Sequence, residues 1–343
     1  MLLHRGCGLR VPKEDPECGG STISCAAMQC PEHRPVDDAL IPPRLSAILV
    51  MVLWASCYPL ITIGLAFAPH LTFASLRAVT AGSALLLVAL CLRKPFPKDR
   101  AEWGWIALAG FGMTGFGYFG MFHAAEFVAP GLATVVANTQ PIFAAVLAYG
   151  LIGERLALRG WTGLLIGFLG VVIVAAPQVF AGNERSTGLG VMYVLLAALG
   201  VAAGNVAIKQ LANRVDAAMA MGLQLLIGAI PLMIIALLTE HPRAVVWSPG
   251  FIVSLVGLAL PGTALAFWLW QTTLRSMPLS KANVFSFLVP FLGITIGALF
   301  FAEPLTLMVM IGVVLAGIGV YLGTKAEPDR GPVRDQGSAC RSK

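Results

Sequence analysis

Charge is scarce in this sequence. Lys, Arg, Asp and Glu make up 12% of its 343 residues, against about 25% in an ordinary soluble domain. So few charges cannot coat a water-soluble globule of this length. Disorder of the bulk is excluded too, because hydrophobic residues reach 57% and disorder needs low hydrophobicity with high charge. No basic stripe interleaves with aromatics, so the net charge of +6 does not point to nucleic acid. Catalytic signatures are missing as well: there is no G-x-S-x-G and no Walker A motif. The five histidines, at 4, 33, 70, 123 and 241, lack metal-ligand spacing. No metal, no cofactor and no enzymatic activity are therefore expected. Strand-like alternation is also absent. Runs such as Leu85-Leu86-Leu87-Val88-Ala89-Leu90 are continuous, which excludes a transmembrane β-barrel and leaves helices.

What is present is a series of long apolar runs. A bilayer core needs about 20 apolar residues per helix, and ten stretches qualify: 45–66, 71–92, 103–123, 131–152, 160–177, 188–211, 218–238, 250–274, 282–302 and 305–324. The expected class is an all-α polytopic membrane protein of ten transmembrane helices. No Asp or Glu falls inside a span, and among the bases only Arg77 and Lys209 do.

The bases set an orientation. With the N-terminus in the cytoplasm, the inner loops hold Arg93, Lys94, Lys98, Arg100, Arg155, Arg159, Arg214, Arg275 and Lys281. The outer loops hold only Arg185 and Arg243. The positive-inside rule then places both termini in the cytoplasm, in a cell (inner) membrane. Residues 1–44 are rich in Pro, Gly, Cys and charge, lack a signal-peptide core, and read as a polar, disordered cytoplasmic tail. Cys7, Cys18, Cys25, Cys30 and His33 lack the paired spacing of zinc sites. Residues 325–343 read as a second tail.

The ten spans divide into two halves of five, 45–177 and 188–324. A shift of 149 residues lays Ala133 on Ala282, Val135 on Val284, Pro141 on Pro290, Glu154 on Glu303, Leu156 on Leu305, Gly163 on Gly312 and Gly170 on Gly319. A shift of 147 lays Tyr58 on Asn205 and Arg77 on Gln224. Because five is odd, the second half enters the membrane upside down. Inverted repeats are a recurring plan of secondary transporters.

Here the chain resembles a known family. Leu53-Trp54-Ala55-Ser56, Ser75-Leu76-Arg77-Ala78, Asn138-Thr139-Gln140-Pro141 and Gly153-Glu154-Arg155-Leu156 look like an EamA-type member of the drug/metabolite transporter superfamily. Val289-Pro290-Phe291 and Ala302-Glu303-Pro304-Leu305 are similar to its C-terminal half. The resemblance covers about 45–324 and implies alternating access and traffic in small metabolites, usually outward.

Candidate lining groups are the non-apolar residues at mid-span. Pro141 lacks an N–H and frees the carbonyl of Ala137 beside Asn138, Thr139 and Gln140. Pro290 likewise frees the carbonyl of Ser286, with Asn283 a turn earlier. Trp54 and Tyr58 share one face of the first helix, Asn205 is the repeat counterpart of Tyr58, and Trp268 lies in the eighth. Arg77 either snorkels outward or meets a substrate carboxylate; the resemblance, which commonly places an Arg here, implies a shared structural role. Lys209 is expected to snorkel, and His123 to stand solvated at a span end beside Glu126. Glu154 and Glu303 are expected to cap the helix that follows each of them, with gating as the alternative. The many glycines, including Gly163/Gly167 and Gly319/Gly323, serve close packing, within the chain or across a homodimer.

With no acid at mid-span, coupling through a buried carboxylate is not expected; the expected carrier moves its solute down the gradient, or couples through His123 or Glu126. The substrate class read from these groups is an amino acid or related metabolite, exported. Alternatives are efflux of drugs or toxic compounds, a channel, and a membrane-embedded enzyme.

Overall fold

The computed structural model describes residues 41–124, 127, 133, 136–180, 187–241, 244–301 and 307–325. At Tyr58, 174–175, 177–180, 294 and 297–301 it describes the backbone alone. The expected tails, Glu126, Glu303 and the side chain of Tyr58 lie outside these.

All described regular structure is helical apart from an isolated bridge residue, Leu156. We label the helices in chain order: α1 Pro43–Leu65, α2 His70–Cys91, α3 Arg100–Ala124, α4 Gln140–Ile152, α5 Leu158–Phe180, α6 Thr187–Leu211, α7 Ala217–Thr239, α8 Pro249–Ser276, α9 279–301 and α10 Leu307–Lys325. Seven (α1, α2, α3, α6, α7, α8 and α10) are long and apolar enough to cross a membrane; α4, α5 and α9 carry shorter apolar stretches.

The starts follow from local chemistry. Pro43 and Pro249 occupy first-turn positions, where the missing N–H has no helical partner to lose. Asp216 accepts from the N–H groups of Ala218 and Met219 to cap α7, and Ser248 caps α8 through Phe251 N–H. Glu102 closes a capping box with Asp99 at the start of α3.

The fourth span differs from expectation. Among the described residues α4 begins at Gln140, after a turn at Asn138 and Thr139. Pro141 therefore starts a helix and does not kink one, because a first-turn proline has no i−4 bond to break. In α9 a short 3₁₀ turn, Phe285–Phe287, separates Leu279–Val284 from Leu288–Phe301. Pro290 sits in the first turn after it.

Among the described residues two π-helical segments break the ladder of long helices: Gly110–Phe116 in α3 and Leu260–Leu265 in α8. The second contains Pro261, which cannot donate; the first contains Gly110, Gly112 and Gly115. The two segments stand 150 residues apart at their starts, close to the sequence repeat.

Glycine brings the helices together. A Cβ on Gly163 would lie 2.8 Å from the Gly319 carbonyl oxygen, and one on Gly170 would lie 2.8 Å from that of Gly312. The two G-x-x-x-G motifs thus pack on each other within the chain, along an α5–α10 seam. Under the 149-residue shift Gly163 becomes Gly312 and Gly170 becomes Gly319. The two contacts exchange with one another, so the seam maps onto itself. Gly82 and Gly222 set a similar approach of α2 to α7.

Candidate substrate site

Four polar side chains meet in the core, and both halves supply them. Asn283 of α9 is fully buried, Asn205 of α6 nearly so, and Gln140 opens α4. Asn283 Oδ1 accepts from Gln140 Nε2 at 3.0 Å and from Asn205 Nδ2 at 3.3 Å. Its own Nδ2 donates to the Leu279 carbonyl at 3.1 Å. Asn205 Oδ1 accepts from the indole Nε1 of Trp270 at 2.8 Å. Trp54 of α1 packs on Trp270 at 5.5 Å between ring centroids and meets Phe267 edge-on at 6.1 Å. A line of amides therefore runs along an indole wall between α1, α4, α6, α8 and α9. Such groups can hold a solute that has both a hydrogen-bonding head and an apolar body.

Sequence reasoning named Trp54, Gln140, Asn205 and Asn283, and the structure brings them together. It missed Trp270. The expected tryptophan, Trp268, is 36% exposed, whereas Trp270 is fully buried. Asn138 and Thr139 lie half-buried in the turn before α4, with the Thr139 hydroxyl donating to Val136 O. Ser286 sits half-buried in the 3₁₀ turn.

A second polar group gathers around Arg77 of α2. Arg77 is 7% exposed and points inward. Its Nε donates to Thr263 Oγ1 at 2.7 Å, its Nη2 reaches Cys57 Sγ at 3.9 Å, and its Cζ stands 4.8 Å over the Tyr118 ring. Of the two expectations for Arg77, the inward one describes its position. His123 corrects another: it is half-buried in an aromatic cluster with Phe119, Phe127, Tyr193 and His70, because α3 carries it onto α6.

Two acids clamp helix starts. Glu154 accepts from Leu279 N–H, Ser280 N–H and the Ser280 hydroxyl, at 3.1–3.2 Å. It therefore caps α9, which corrects the expected cap on α5. Gly153 turns left-handed at φ 69° and ends α4, as αL caps do, and the packing of α9 beside α4 brings the start of α9 within reach of the next side chain. Glu240, which sequence reasoning passed over, does the same for α2. It accepts from Leu71 N–H, Thr72 N–H and the Thr72 hydroxyl at 2.7–2.8 Å, with His70 Nδ1 at 3.3 Å. Its position just after a span, like that of Glu154, was the available signal. Lys209 is also corrected: its ammonium donates to the Leu274 and Met277 carbonyls at 2.6 and 2.8 Å, closing the C-terminus of α8 instead of reaching for lipid. A cavity of about 230 Å³ lies beside Glu154 and Lys209, lined also by Arg275, Ser280 and Lys281 among others.

This arrangement has known counterparts. The EamA-like transporter family matches twice, over residues 43–176 and 188–324. The chain is 30% identical over 297 residues to the uncharacterized transporter YvbV of Bacillus subtilis, covering 84% of this chain and 95% of that one. It is 30% identical over 288 residues to a protein of Escherichia coli K12 named a probable amino-acid metabolite efflux pump, covering 80% and 92%. A solved crystal structure at 21% identity shares the fold with a TM-score of 0.70, over 82% of this chain and 96% of that one. With both halves matched and helices long enough to cross a membrane several times, the chain belongs to the EamA-like transporter family.

Proposed function

We propose that this chain is a secondary carrier that exports an amino acid or related small metabolite by alternating access. It crosses the inner membrane ten times as two inverted five-helix repeats, with both termini in the cytoplasm. The observation that carries the reading is the convergence of Gln140, Asn205 and Trp270 around Asn283. These are neutral hydrogen-bonding groups, drawn from both repeats and walled by Trp54, and they suit an amine or amide head with an apolar body. The name of the Escherichia coli relative points to the same substrate class. The Glu154 clamp on α9 closes the cytoplasmic end of this path and serves as a gate. Transport proceeds down the solute gradient, since none of the ten spans contains an acid to carry a proton.

The test is counterflow in proteoliposomes. Vesicles preloaded with unlabelled L-leucine are expected to accumulate labelled L-leucine faster than empty ones, with saturation. Flux that rises linearly with concentration and ignores the internal solute would indicate a channel. A pH gradient is expected to leave the rate within about twofold; strong acceleration would overturn the uncoupled version.

A further inference from the structure

We infer that Arg77 is the specificity-determining residue for a carboxylate on the transported solute. This rests on the carrier reading above and narrows its substrate class.

The argument begins from a device that the molecule builds twice. Thr114 and Thr263 are repeat partners, 149 residues apart, and each lies in a π-helical segment. Such segments are frequent at functional sites. Each threonine is held by a side chain from the equivalent place on α2 or α7: Thr263 by Arg77, Thr114 by Gln224. The hydroxyl of Thr114 donates to Gln224 Oε1 at 3.0 Å, and that of Thr263 accepts from Arg77 while donating to Leu258 O at 2.8 Å. Glutamine thus performs the packing job in one half. Packing alone does not require a cation in the other.

The cation is nonetheless there, and it is buried. A guanidinium stays charged at any physiological pH, and charges within spans are costly and mark transport paths. Its described contacts are a hydroxyl, a thiol and the face of a phenol ring, all neutral. The ion pairs among the described residues lie elsewhere, at His70–Glu240 and Lys94–Asp216. Among the described residues only Nε has a strong acceptor, so the Nη edge is left there with the weak sulfur contact. Beside it the Tyr118 hydroxyl is buried without a hydrogen-bond partner among the described residues. In the matching place Gln224 Nε2 is likewise buried and unpartnered among them, on a residue with no exposure. Spare donors thus stand at both places, with the charge at one only. A planar guanidinium whose Nη edge lacks a strong acceptor among the described residues, stacked over a tyrosine whose hydroxyl is also spare, suits a carboxylate, which accepts two parallel hydrogen bonds. The solute supplies the counter-charge that the bundle does not.

The experiment compares labelled L-leucine with labelled L-leucinamide in counterflow. Arg77→Gln makes the two halves alike. It is expected to cut the preference for the carboxylate over the amide at least tenfold, and Arg77→Lys to restore part of it. Thermal unfolding in detergent confirms that each variant is folded. An unchanged preference in Arg77→Gln, or equal losses for both solutes in both variants, overturns the assignment and leaves the carrier reading standing. If Arg77→Gln does not insert, competition on the unaltered protein decides: leucinamide that displaces labelled leucine as well as leucine itself does overturns it. A protein that moves neither solute overturns the amino-acid reading itself, a separate result.

Discussion

Asn283 is the residue on which the central cluster depends. Its carbonyl oxygen serves two amide donors, and neither has an alternative acceptor among the described hydrogen bonds. Asn283→Ala is expected to lower stability by about 1–3 kcal/mol, the cost of stranding buried polar groups, and to reduce counterflow at least tenfold. Trp270→Phe keeps the ring wall but loses the bond to Asn205, and should lower stability by about 1 kcal/mol. Detergent melting curves check both. These amides were legible in the sequence, since a polar residue at mid-span has few structural excuses. Trp270 was not, and the reason is physical. Trp268 and Trp270 stand two residues apart in the regular helix after the π-helical segment, on different faces, and only the packing of α8 on α1 and α6 decides which of them is buried.

Helix ends carry the next layer of control. Glu154 binds the start of α9 and Glu240 the start of α2, each placing negative charge on an N-terminal dipole. Glu154→Ala removes three hydrogen bonds that join α4 to α9. In a background without native cysteines, Ser280→Cys should then react faster with a membrane-impermeant thiol reagent than it does with Glu154 in place. An unchanged labelling rate would mean that the contact does not gate. Local signals such as the Asp99/Glu102 capping box were readable as sequence, and so was a Glu after Gly153. Which helix start that Glu reaches is a matter of tertiary packing, and no local spacing encodes it. The same limit applied to the glycines: their number announced close packing, but the pairing of Gly163 with Gly319 needed coordinates. Gly163→Val would drive side-chain atoms into the Gly319 and Gly323 backbone and should cost at least about 1–3 kcal/mol. Gly150→Ala, which meets nothing within 4 Å, should be neutral or gain up to about 1 kcal/mol from helix propensity. Together the two variants separate seam packing from any general intolerance of change.

At the scale of the whole molecule, the distribution of charge predicts its placement. A C-terminal green fluorescent protein fusion should be fluorescent and a C-terminal alkaline phosphatase fusion inactive, if the basic loops face the cytoplasm. The reverse pattern would invert every assignment of inner and outer ends. The two-part plan was legible from the repeat alone, because Pro141, Glu154 and Gly163 have partners at one constant distance. The twin π-helical segments were not, since a wider turn leaves no fixed spacing to read. The α5–α10 seam adds a consequence for descent. Each of its contacts is the image of the other, so a duplicated gene inherits both at once. Afterwards neither half is free to drift there: a bulkier residue at Gly163 collides with a backbone encoded half a gene away. The seam makes the two copies each other's constraint and ties their divergence together, while the exposed faces of the same helices stay open to change.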